Sequence, residues 1–151
     1  MQKKLITVIC IYLILQFITS NELSNYKSTN EIECPDSVSV LLKNYCYDCH
    51  SGETVYPLLS RLIPLNWLIH ADVEKGRHVI DFGKWGNYNE FEQRYKQIAI
   101  AKELESDRMP PSLYRFFHRD KQLSELNRQI LITYFKNESD SLKPLAILSK
   151  D

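Results

Sequence analysis

Cys46, Tyr47, Asp48, Cys49 and His50 place two thiols three positions apart, with an imidazole directly after the second. On one helical turn, thiols at this spacing face the same way and can add to the two vinyl groups on one side of a haem. His50, four residues after Cys46, then offers its imidazole to the iron. The expectation is one covalently attached haem c, with Cys46 and Cys49 as thioether donors and His50 as the proximal iron ligand. A zinc site would need a fourth ligand from Cys34 or a distant histidine, and the second paired cluster usual for structural zinc is missing. A thioredoxin-like redox pair would need a strand before the motif, and none is visible.

Apart from Met1 the chain has a single methionine, Met109, followed by Pro110 and Pro111. A thioether on a proline-stiffened loop suits haem iron, and a His/Met pair raises the reduction potential relative to two histidines. Met109 is the expected distal ligand; core filling is its bland alternative. His118, in the segment that follows, is the rival, with His70 and His78 as lesser candidates.

These residues need elements to hold them. Val38, Leu41, Leu42 and Tyr45 recur at helical spacing after Pro35, Asp36 and Ser37, which predicts a helix running into Cys46. A second helix is expected from Leu65 to about Lys75, stopped by Gly76, with Trp67, Leu68, Ala71 and Val73 to bury. After an irregular connection, Asn87 or Asn89 can cap a third helix whose buried face carries Phe91, Tyr95, Ile98 and the stem of Lys102, ending near Asp107. Ser124 caps a last helix bearing Leu126, Ile130, Leu131, Tyr134 and Phe135. No alternating run predicts a strand, so the fold class is all-α.

The 151 residues are 44% hydrophobic, 25% charged and 11% aromatic, which fits one modest globular domain and excludes collagen-like or disordered chains. Nineteen basic residues balance 19 acidic ones, so no global charge argues for nucleic acid as a partner. Lys3 and Lys4 precede an apolar run from Leu5 to Ile18, the layout of an export signal over residues 1–20, with an uncleaved N-terminal anchor as the alternative. Export fits haem c attachment, which takes place outside the cytoplasmic membrane; a periplasmic location is expected, with membrane association only through such an anchor. Residues 21–34 read as a polar tether, 35–137 as the domain, and 138–151 as a tail. Cys34 is left without an assigned partner.

The chain resembles the cytochrome c superfamily in its helix leading to CYDCH, its later Met109-Pro110 and its closing helix from Leu123-Ser124 through Ile130 to Tyr134. More narrowly, it is similar to the bacterial exported "haem-binding domain" group with a single CxxCH. That likeness rests on Asn44 through Ser51, Thr54, Tyr56-Pro57, Pro64, Trp67, Gly76, Phe82, Trp85-Gly86, Tyr88 and Met109-Pro110, within residues 35–137. The resemblance implies a small helical domain around one covalent haem.

The resulting expectation is a one-electron carrier meeting redox partner proteins. Tyr45, Tyr56, Trp67, Leu68, Trp85 and Phe91 would exclude water from the haem, and Arg61, Arg77 and Arg108 are candidates to pair with its propionates. One alternative is a peroxidase or gas-binding protein with an open distal site, where His118 or Arg108 assists. Another is a non-redox interaction module that metal or haem merely stabilises.

Overall fold

The apolar N-terminal run forms a helix, α1 (Gln2–Leu15), in a computed structural model that describes residues 2–16, 24–57, 60 and 62–141. The expected cleavage point, Arg61 and the segment 142–151 lie outside the described residues. Beyond α1 come α2 (Asp36–Tyr45), the single turn α3 (Tyr47–His50), α4 (Leu65–Val79), a 3-10 turn at Phe82–Asn87, α5 (Glu90–Glu105), α6 (Ser112–Phe117) and α7 (Glu125–Ser141). No strand occurs among the described residues, and the all-α expectation holds. No helix among them is long and apolar enough to cross a membrane.

The core lies where α5 packs lengthwise on α7 and α2 packs on α7. Val38 and Leu42 from α2, Ile100, Ala101 and Leu104 from α5, and Leu131, Ile132 and Phe135 from α7 close around Phe82 and Trp85 of the 3-10 turn. Phe82 stacks between Tyr47 (5.9 Å) and Trp85 (5.7 Å), which joins the CxxCH turn to this core.

Helix starts follow local chemistry. Asn89 accepts a hydrogen bond from the Glu92 amide while the Glu92 carboxylate accepts one from the Asn89 amide, a complete capping box for α5. Ser124 Oγ accepts from the Asn127 amide at 3.2 Å at the start of α7.

The buried faces differ from those expected. Phe91 is 71% exposed, with Tyr95 and Ile98 also outward, because α5 turns Gln97, Ile100, Ala101 and Leu104 toward its neighbours instead. Trp67 and Leu68 are likewise exposed, and α4 buries Asn66, His70, Val73 and Gly76. In α7, Leu126 is exposed. Nor does Gly76 end α4, which continues to Val79. A Cβ there would lie 2.3 Å from the Cys49 carbonyl oxygen, so the glycine serves a close helix approach and not a stop. The short α6 was not anticipated; Pro111 stands at its N-cap.

Residues 24–34, expected as a tether, are bound along the domain. The Ile32 and Asn30 amides donate to the Phe82 and Gly83 carbonyls, the Gly86 amide donates to the Asn30 carbonyl, and the Tyr26 amide donates to the Gly52 carbonyl. A Cβ on Gly52 would collide with Tyr26, and one on Gly83 with Ser28 Oγ at 2.5 Å, so two glycines make room for this strap.

Candidate functional site

Cys46 closes α2 and opens α3: its amide donates to Leu42, and its carbonyl accepts from the Cys49 amide (3.2 Å) and the His50 amide (2.9 Å). The predicted trio therefore lies on one tight turn. All described cysteines are free. Burial pushes the Cys46 thiol up to about 12, with Cys49 adding to the shift, and burial followed by Asp48 raises Cys49 to about 12. Burial thus favours the neutral thiol at both positions. Among the described residues no group of three or more His, Cys, Asp or Glu side chains is arranged to hold a metal ion.

His50 is fixed by its other nitrogen. Nδ1 lies 3.0 Å from the Gly76 carbonyl and 3.1 Å from the Ile80 carbonyl, both acceptors, so Nδ1 carries the proton and Nε2 keeps its lone pair. Burial lowers the ring's pKa, against the two carbonyl hydrogen bonds, which favours the neutral imidazole a metal requires. The carbonyls come from the end of α4, and the missing side chain of Gly76 lets that end sit on the motif.

Asp48, between the cysteines, is a buried anchor that sequence reasoning missed. Oδ2 accepts from Tyr114 (2.6 Å) and Lys121 (2.7 Å), and Oδ1 accepts from the Val55 amide (3.2 Å). The segment after Pro111 is thereby tied to the motif. Beside it opens an apolar crevice lined by Cys49, Thr54, Val73, Leu113, Phe117 and His118, among others. His118 Nδ1 lies 3.1 Å from the Tyr114 carbonyl, an acceptor that places the proton on Nδ1, and its ring stacks on Tyr114 at 4.1 Å. Met109 packs on the same core as Cys46 and is not among the crevice residues.

A family model described as "Haem-binding domain" matches residues 6–137. The chain belongs to this haem-binding domain family. The match starts within α1 and takes in the strap, so it extends beyond the stretch from residue 35 that carried the sequence resemblance. No curated protein and no solved structure matches the chain.

The residues present fit a haem: two free thiols on one turn, an imidazole with its distal nitrogen unprotonated, and an apolar crevice at Cys49. Of the expected water-excluding shell, Trp85 is buried and Tyr45 and Tyr56 are half-buried, while Trp67, Leu68 and Phe91 face outward. Two expected propionate partners are engaged elsewhere. Arg77 donates to the Ser51 and Ser24 carbonyls, Asn25 Oδ1 and Thr54 Oγ1, clamping the strap to the motif. Arg108 makes a two-pronged pair with Glu103 at 2.7 and 2.8 Å.

Proposed function

We propose that this haem-binding domain is an exported c-type cytochrome with one haem, joined through Cys46 and Cys49 and ligated by His50 and Met109, that carries single electrons between redox partner proteins. The observation that carries the reading is the double carbonyl hold on His50 Nδ1, which orients the ring and raises its basicity toward a metal at Nε2. A haem held there supplies a one-electron couple whose potential depends on axial ligands and burial. Phe82 and Trp85 keep water from the inner side of the motif. The Met109 segment is restrained from both ends: its carbonyl accepts from Arg128 at 3.4 Å, and Tyr114 is tied to Asp48. Lys3, Lys4 and the apolar α1 support export, with retention as an anchor the other outcome.

The test is the spectrum of protein purified from a host with haem c maturation machinery, in both oxidation states, with acid-solvent extraction. Pigment that stays with the polypeptide and a sulfur-to-iron band lost in Met109→Ala are expected. Extractable pigment refutes the thioethers.

The placement of His118 in the Cys49 crevice, without Met109, favours a second reading: an open distal site that binds gas or reduces peroxide, with His118 as the polar group. Rapid carbon monoxide binding by the unmodified reduced protein supports it, and resistance supports closure by Met109.

A further inference from the structure

No residue of α1 is buried, and Leu5, Ile6, Val8, Ile9, Ile11 and Ile14 are all exposed. At about 100° per residue these positions surround the helix instead of forming one stripe. A partner helix or a groove covers one side of such an element, whereas lipid covers every side. Lys3 and Lys4, at the start of α1, suit anionic headgroups. The helix is nevertheless fixed to the domain. Gln16 Oε1 accepts from the Ile63 amide at 3.1 Å, its Nε2 donates to the Ile63 carbonyl at 3.3 Å, and the Tyr12 hydroxyl donates to the same carbonyl at 3.2 Å. Wherever α1 goes, the edge of the domain at Ile63 goes too. That edge is apolar and uncovered: Leu62 precedes Ile63, Trp67 and Leu68 stand on the first turn of α4, and all three are exposed.

The family match begins at residue 6, so most of α1 falls within the matched stretch. From Lys3 to Leu15 the helix rises about 18 Å, against a hydrocarbon core of about 30 Å. So short a helix holds a bilayer weakly by itself, and apolar area beside its end strengthens the hold. Tyr12 and Trp67, with apolar rings and polar tips, are of the kind that settles at headgroup level. We propose that the Leu62, Trp67 and Leu68 edge is a membrane-docking surface, seated in the lipid interface beside a retained α1. This rests on the anchor outcome of the export reading above and not on the haem. The seat fixes the orientation of the domain on the bilayer.

The test uses the full-length holoprotein in phosphatidylcholine–phosphatidylglycerol nanodiscs, with 5-fluorotryptophan at the chain's two tryptophans, exposed Trp67 and buried Trp85. Lipid spin-labelled at the headgroup is expected to broaden the Trp67 fluorine resonance several-fold more than that of Trp85. Equal broadening of the two overturns the proposal. So does a Trp67 resonance shielded from lipid and water alike in a particle with two copies of the chain, which assigns the edge to self-association. In parallel, the triple variant Leu62→Ser, Trp67→Ser, Leu68→Ser, with α1 intact, is expected to float with vesicles of the same lipids several-fold less than the unmodified chain. Unchanged flotation overturns the proposal by assigning all the binding to α1, and the fluorine spectra of the unmodified sequence decide it if the variant fails to fold. Failure of the underlying reading is distinguishable: a mass lacking residues 1–20 shows, before any lipid is added, that α1 is not retained.

Discussion

The Tyr114 hydroxyl donates a 2.6 Å hydrogen bond to Asp48 Oδ2, linking α6 to one of the two residues between the motif cysteines. The carboxylate is buried and also receives Lys121, so each partner limits the movement of the other. Tyr114→Phe should lose about 1.5–3 kcal/mol, the usual worth of a hydrogen bond to a charged group. Chemical denaturation of the holoprotein measures it. A cycle with Asp48→Asn should show strong non-additivity, and additive losses would mean that the bond contributes little.

Gly76→Ala brings a methyl group to 2.3 Å of the Cys49 carbonyl oxygen. Either α4 withdraws, weakening the hold on His50 Nδ1, or the motif turn distorts. A loss of about 1–3 kcal/mol from overpacking is expected, together with altered proximal ligation in the absorption and magnetic resonance spectra. Native spectra in a fully stable variant would contradict this account.

Phe91 and Phe135 separate the outward face of α5 from the true core. Phe135 is fully buried, and Phe135→Ala should cost about 3–5 kcal/mol. Phe91→Ser should stay within about 0.5 kcal/mol of the unmodified protein, because 71% of the residue is already in solvent. Thermal melts compare the two.

That contrast shows what a sequence reading can reach. The CxxCH turn, an asparagine cap on α5, at Asn89 of the two expected candidates, and the Ser124 cap depend on neighbours a few residues apart, and they emerged as expected. The buried face of α5 did not, because Phe91, Tyr95 and Ile98 form as good an apolar stripe as Ile100, Ala101 and Leu104. Only the approach of α7 chooses between them. Gly76 looked like a helix stop because glycine's local meaning and its long-range meaning are indistinguishable in one chain. The strap was hidden for a related reason: four of its bonds join backbone amides and carbonyls, which leave no trace in composition, and its side-chain partners, Arg77 and Asp81 among them, lie far along the chain. Asp48 gave no signal either, since its partners lie far along the chain.

Asp107 links α6 and α7 through Arg115 and Arg128. The hydrogen bond from Arg115, then the charge of Arg128, holds its carboxyl below the usual 3.8. A depressed carboxyl stabilises the fold above its unfolded pKa, and that contribution disappears as pH falls through the lower, folded value. Asp107→Asn should therefore melt below the unmodified protein at neutral pH, and the two curves should converge in acid. Because the site is exposed, salt should shrink the gap. A gap independent of pH would rule out the ion pairs as its source.

The docking of residues 24–34 also limits how far the domain can travel from its N-terminal helix. Fully extended, the seven residues 17–23 span at most about 25 Å. Tyr12 and Gln16 of the helix segment already bond the Ile63 backbone. If α1 stays in a bilayer, the domain is confined close to the membrane surface. Under the proposed electron-carrier reading, traffic would then depend on lateral diffusion of the whole molecule, or on mobile carriers that come to the membrane surface.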